Sequence, residues 1–229
     1  VKKLLVALVV LVVLAVVADR VALNIAERQV ATQIQHQADL SGAPGVDITG
    51  FPFLTQAVAG RYTDVRISLT AAELGQPAGT RADVSLRGVR LPLSDVLSGS
   101  VQQIPVDRVD GSATLAYPLL AQQIGPGTTL TPAGNGLRIS STVEIAGQRF
   151  PVTASGTVRL DGRDLVIDVQ HASGAGVQLP SFLVSQVSAA LGLRYRIPAL
   201  PFGLRLTGLR PTADGIAVTV VATDAVLGR

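Results

Sequence analysis

Val46 to Leu69 reads VDITGFPFLTQAVAGRYTDVRISL, and the fold turns on how this stretch is parsed. Val46-Asp47-Ile48-Thr49 has the composition of a short strand. Gly50 breaks it, because glycine reaches backbone angles that other residues resist. Pro52 biases Phe51 away from helix, and Leu54 to Ala59 fits about one and a half helical turns. Gly60 ends that turn. From Arg61 the pattern alternates, with Thr63, Val65, Ile67 and Leu69 on one face and Tyr62, Asp64, Arg66 and Ser68 on the other, which predicts a strand with one buried face. Two of the five phenylalanines, Phe51 and Phe53, sit in the bend. Two readings stand: a core plug at a strand crossover, or an apolar lip at the mouth of a cavity.

Downstream the chain reads mostly as strands. Thr70 to Arg81, with Gly75, Pro77 and Gly79, is predicted as a polar loop. Ala82, Val84 and Leu86 then share a face until Gly88, where the apolar positions shift to Val89 and Leu91. A phase change at glycine predicts a β-bulge. Leu93 to Leu97 fits one helical turn with Ser94 as its cap. Gln102 to Leu115 alternates as a strand, and Tyr117 to Ile124 reads as a short helix stopped by Gly125-Pro126-Gly127. The clearest β region, Leu137 to His171, predicts a three-stranded antiparallel meander turning at Ala146-Gly147-Gln148 and Asp161-Gly162. Its apolar face holds Leu137, Ile139, Val143, Ile145, Phe150, Val152, Ala154, Val158, Leu160, Leu165, Ile167 and Val169, with His171 in the same phase. Pro180 to Leu191 reads as a helix with proline near its start. Phe202 to Leu209 and Ile216 to Ala222 read as two final strands.

The N-terminal side is different in kind. Lys2 and Lys3 precede Leu4 to Ala18, fifteen residues without a polar side chain. A charged start followed by an apolar run, with small residues near Ala18, has the layout of a secretory signal. Asp19-Arg20 stops the run short of the roughly 20 residues of a membrane span, and Val21 to Ile25 extends it weakly. Residues 1–18 are therefore expected to be a signal peptide or a membrane anchor, and 19–229 a single domain. Asp19 to Leu40 reads as a helix whose apolar stripe is Leu23, Ala26, Val30, Ile34 and Ala38.

Composition excludes several classes. Lys2 and Lys3 are the only lysines, and 17 arginines face 16 acids, so two of the three net positive charges sit at the N-terminus and the rest of the chain is near balance. There is no basic run interleaved with aromatics, which leaves nucleic-acid binding without support. The chain has no cysteine, so disulfides and thiolate chemistry are absent. No G-x-S-x-G, H-E-x-x-H or glycine-rich phosphate loop occurs. His36 lacks a partner at ligand spacing and reads as a surface histidine. His171 reads as a strand-end histidine, with a general base in a lipase site as its alternative. Ser94-Asp95 reads as a helix cap. No cofactor and no metal are expected, and no catalytic residue is identified.

Two segments carry a resemblance. G-F-P-F-L-T-Q at Gly50 to Gln56, followed by G-R-Y-T-D-V-R-I at Gly60 to Ile67, is similar to the LmeA-like family of actinobacterial cell-envelope phospholipid-binding proteins. The closing stretch LPFGLRLTGLRPTADGIAVTVVATDAVL, Leu200 to Leu227, resembles the C-terminal end of that family. The resemblance implies an α+β fold, with a long N-terminal helix packed in a strongly curved antiparallel β-sheet and short additional helices, like that of tubular lipid-binding domains. It implies an exported protein of the cell envelope that binds phospholipid acyl chains in an apolar groove, for lipid transfer or maintenance, at a membrane surface. Phospholipase A activity is associated with the family and is the alternative. A structural envelope protein with a filled core is the third possibility, because a packed core uses the same aliphatic residues. On the lipid reading the candidate contacts are Phe51, Phe53, Leu54, Val143, Ile145, Val152, Ile167, Val169, Phe182, Val187 and Phe202. Export is directly testable. N-terminal sequencing of envelope material should find the protein there, beginning at or near Asp19 if the apolar run is removed. A full-length cytoplasmic protein contradicts the expectation.

Overall fold

In the computed structural model, Lys2–Gln37 forms one unbroken helix, α1, so the apolar run and the amphipathic stretch after it are a single element. The structure describes residues 2–98, 101–145, 148–162, 164–174, 177–178, 193–196 and 203–228. After α1 come β1 (Gly45–Thr49), α2 (Phe53–Ala59), β2 (Arg61–Leu69), α3 (Ala71–Leu74), β3 (Arg81–Arg90) and α4 (Leu93–Ser98). Then follow β4 (Gln103–Ala116), α5 (Tyr117–Ile124), β5 (Thr129–Ala133), β6 (Gly136–Ile145), β7 (Gln148–Asp161) and β8 (Asp164–Gly174). β9 (Val177–Gln178), β10 (Leu193–Arg196), β11 (Arg205–Pro211) and β12 (Gly215–Gly228) complete the described elements.

The fold is α+β, with antiparallel strands, a long N-terminal helix and short additional helices. The strands divide between two open sheets. One has the order β1-β2-β3-β4-β12-β11, and the other β10-β8-β7-β6-β5 with β9 also on β8. The second sheet contains the expected meander, β6-β7-β8. It packs with α5 over the β11–β12 end of the first sheet, and the core between them holds Leu120, Leu137, Ile139, Leu165, Ile167 and Ile216. A second core lies between α1, α2 and the first sheet, and holds Ile48, Phe53, Val65, Leu86, Val106 and Val109. β4 and β12, 14 residues each, contribute to both. Tyr117 ties the first core to the β11–β12 connection by donating its hydroxyl to Thr212 O at 2.7 Å, and burial pushes its pKa up.

Four adjacent strands change phase at one level. Val65, Leu86, Val109 and Ala222 are mutual neighbours in register, and so are Tyr62, Val89, Val106 and Ala225. Both rows belong to the same core, although they lie three residues apart along each strand. Strict alternation would put them on opposite faces. Thr63, Gly88, Asp107 and Asp224 lie opposite one another between the rows, and no pairing joins them. Gly88 has φ +65° and Asp224 φ +51°, the left-handed region that such an interruption uses. In place of the one-strand bulge predicted at Gly88, a line of unpaired residues crosses β2, β3, β4 and β12, with no extra residue in any strand. The line also corrects the reading of β2: Tyr62 packs into the core and Thr63 is exposed.

Other expectations change for local reasons. His171 is exposed, because a register shift between Ser155 and Gly156 flips the end of β8 and buries Ala172 instead. Ser94 lies inside α4 and donates to Asp95 Oδ1 at 3.0 Å, so it is not the cap. The Thr70–Arg81 loop contains α3, closed by reciprocal bonds between Thr70 and Glu73, the T-x-x-E capping box. β5 is a five-residue strand that Pro132 disguises in the sequence. Phe150 has the apolar phase but is exposed. The helix expected at Pro180–Leu191 lies outside the described residues.

Gly88→Ala should destabilise the protein by about 1–2 kcal/mol, the cost of a left-handed non-glycine residue. An added Cβ would also lie 2.9 Å from Asp107 Cβ. Thermal melting of this variant, against Gly162→Ala in an open turn with nothing near it, separates the crowding from the backbone strain that both share.

Candidate functional site

The unit from Gly50 to Asp64 is built to hold a short apolar helix at the edge of the first sheet. α2 has two apolar ridges. Phe53 and Ala57, four residues apart, are buried, and Phe53 meets Tyr62 with ring centroids 6.2 Å apart. Leu54 and Val58, on the neighbouring ridge, are exposed, as is Phe51 just before the helix. Val58 keeps 78% of its surface and Phe51 64%, and with Leu54 they make an apolar group rather than a single exposed side chain. α4 packs against α2 and exposes Leu93 and Val96.

Polar side chains fix this arrangement. Gln56 reaches back to Thr49 O with its Nε2 at 3.2 Å, while its Oε1 accepts from the Thr63 backbone N–H at 2.9 Å. Thr63 is the residue of β2 that the phase change leaves without a strand partner, so Gln56 satisfies an otherwise orphaned donor. Asp64 is buried, accepting from Ser85 Oγ and from Arg66 Nε at 2.9 Å. Gly60 ends α2 with φ +63°, and its Cβ would lie 2.8 Å from Pro92 Cα.

α1 supplies the remaining restraints. Its two acids each accept a backbone N–H from the unit: Asp19 Oδ1 from Leu54 at 2.8 Å, and Glu27 Oε1 from Ile48 at 2.9 Å. Leu54 lies in the first turn of α2, whose N–H groups have no partner within the helix. A carboxylate there also complements the helix dipole. Asp19 is buried at 2% exposure and pairs with Arg20 at 2.9 Å. The Arg20 guanidinium sits 5.0 Å from the centre of the Phe51 ring, within cation–π range. Ala22, Leu23 and Ala26 pack on the core below. Before Asp19, Leu4 to Val17 are exposed.

A concavity of about 610 Å³ crosses β1, β2, β3, β4 and β12. Its central line is Val46, Ile67, Val84, Gly111 and Val220, mutual neighbours in register. Asp47, Arg66, Ser85 and Asp110 border it on one side, and Ser68, Asp83, Ser112 and Thr219 on the other. The Arg108 hydrogen bond holds the Asp110 carboxyl below its ordinary pKa.

The sequence-predicted residues fall into four groups. Phe51 and Leu54 are exposed together on the α2 ridge, and Phe53 is buried beneath them. Val152 and Ile167 are at 3% and 1% exposure in the first core, with Val169 partly buried against it. Val143 and Ile145 lie at the end of β6. Phe182, Val187 and Phe202 are outside the described residues. Sequence reasoning missed Asp19, Glu27, Gln56 and Val58. The two acids of α1, eight residues apart and each followed by an arginine, were the available signal. Among the described residues, no three metal-ligand side chains cluster, and neither histidine bonds a serine or a carboxylate.

The site is that of an α+β domain presenting an apolar helix edge beside a long apolar helix. A comparison with known families matches residues 17–221 to the LmeA-like phospholipid-binding family, and the chain belongs to it. No curated protein matches the chain, and no solved structure does.

Asp19→Ala or Glu27→Ala should loosen the unit without unfolding the second sheet. Hydrogen exchange should accelerate over residues 47–56 and stay unchanged in β6 to β8. Uniform acceleration would show instead that α1 supports the whole domain.

Proposed function

We propose that this protein binds phospholipid at the outer face of a membrane, within the cell envelope, and takes up acyl chains at the α2 edge for lipid transfer or maintenance. The observation that carries the reading is the exposed apolar ridge of Phe51, Leu54 and Val58 in a member of a phospholipid-binding family. Each methylene withdrawn from water is worth about 0.8 kcal/mol, so an acyl chain needs apolar surface more than a specific polar motif. The helix α1 is long and apolar enough to cross a membrane, which favours export.

The apolar face of the meander is part of the same proposal, and arginine substitutions on it test the reading. Mass spectrometry of organic extracts from gently purified protein should find phospholipid. Arginine at Val152 or Ile167 replaces a side chain in a packed core and should lower the melting temperature sharply, because an unpaired buried charge is strongly destabilising. Arginine at Val143, close to the end of β6, should leave the fold intact and reduce the extracted lipid. An extract free of phospholipid, with all three variants unfolded, returns the protein to the filled-core class.

A further inference from the structure

We propose that α1 is retained as a membrane anchor and that Phe51, Leu54 and Val58 form a lip inserted in the bilayer interface at its foot. The first support is continuity. The helix runs without a break from the apolar segment through Asp19 into the part that packs on the domain. The direction of the anchor is therefore fixed relative to α2.

The second support is the way Asp19 and Arg20 are used. By composition they interrupt the apolar run, and a charge facing lipid is expensive. Asp19 does not face outward: its carboxylate is buried against α2, on the Leu54 N–H and the Arg20 guanidinium. Arg20 has its guanidinium on the Phe51 ring and paired with the Asp19 carboxylate at 2.9 Å, so its charge is balanced and its stem lies along apolar surface. With both groups accommodated, the outward surface continues through Val21 and Ile25, which are 54% and 63% exposed and one helical turn apart. Leu4 to Ile25 spans about 33 Å at the helical rise, against a hydrocarbon thickness of about 30 Å.

The third support is position. The Leu54 bond to Asp19 sets the lip at the last turns of that apolar length, where headgroups meet acyl chains. Leu93 and Val96 on α4, packed beside α2, widen the same apolar surface. The occupant of this surface is thus a lipid bilayer, held next to it by the chain's own helix.

The chain has no tryptophan, so F51W places a single indole at the lip, on a residue already exposed. Intact mass of the full chain from the membrane fraction should include the Leu4–Ala18 segment. The purified chain, reconstituted in vesicles of phosphatidylethanolamine and phosphatidylglycerol, should give blue-shifted emission from F51W. Bromine placed near the headgroup end of the acyl chains should quench it at least two-fold. The same reporter introduced as T131W, on the exposed side of β5 in the second sheet, should remain at the emission of water and be quenched by iodide. Adding L54D and V58D to F51W should remove the bromolipid quenching while the chain still floats with the vesicles. An intact mass that begins at Asp19 overturns the anchor, and a floating F51W chain untouched by bromolipid overturns the lip. Neither result depends on whether phospholipid is extracted from the protein, so the insertion and the lipid-binding reading fail separately.

Discussion

The phase change at Thr63, Gly88, Asp107 and Asp224 is the constraint on which the first sheet depends. Each of the four strands that it crosses places one residue in each of two apolar rows of one core, from positions three residues apart. A regular pleat cannot do this. One strand making the change alone would lose register with its neighbours, and every side chain beyond the slip would change faces. Made together, the changes leave register intact on both sides. The cost is confined to one line, where pairing is interrupted and two residues adopt positive φ. Thr63 at the start of the line loses its strand partner, and Gln56 of α2 takes its place. The irregularity of the sheet and the position of the short helix are thus one arrangement.

The same reasoning explains why the family-like segment has the residues it has. In G-F-P-F-L-T-Q and G-R-Y-T-D-V-R-I, Phe53 and Tyr62 face each other in the core, and Gln56 meets Thr63. Gly60 gives α2 its left-handed end where a side chain would strike Pro92. Asp64 gathers Ser85 and Arg66 on the opposite face. These residues hold Phe51, Leu54 and Val58 outward against the tendency of apolar side chains to fold inward, which otherwise dominates folding. A segment whose framework residues keep apolar neighbours in water implies that the neighbours have something to meet there.

Much of the fold was legible because long one-sided strands announce themselves by alternation. The meander, α5 and the break at Gly50 followed from period and glycine placement alone. The failures share a cause. Tyr62, Thr63 and His171 were misassigned because a skipped residue reverses the phase of everything beyond it, and only cross-strand neighbours reveal where the skip falls. Gly88 gave the change away in its own strand. Asp107 and Asp224 gave no comparable signal, since aspartate in a strand reads as one more polar outward position. For the candidate site, Phe51 and Leu54 were found by their place in a bend, while Val152 and Ile167 were found by alternation. Alternation identifies a buried face equally well whether side chains or lipid cover it.

The polar contacts of α1 were the least legible, because they join residues 21 and 35 positions apart. Read along the sequence, Asp19 ends a hydrophobic segment. Read in space, it is a hydrogen-bond acceptor for a helix that has no side-chain cap of its own. The two descriptions bear differently on the chain's organisation. A boundary residue can be dispensed with along with the segment it bounds, whereas an internal acceptor must keep its carboxylate inside the helix at a set angle. The helix N-terminal to Asp19 maintains that angle by continuing the backbone hydrogen bonds through it. Were the segment absent, Asp19 would lie in a terminal turn, whose fraying would loosen its hold on Leu54. The apolar helix and the α2 edge are therefore coupled through one buried carboxylate, and the exposed ridge of α2 has its position set by the element best suited to meet a bilayer.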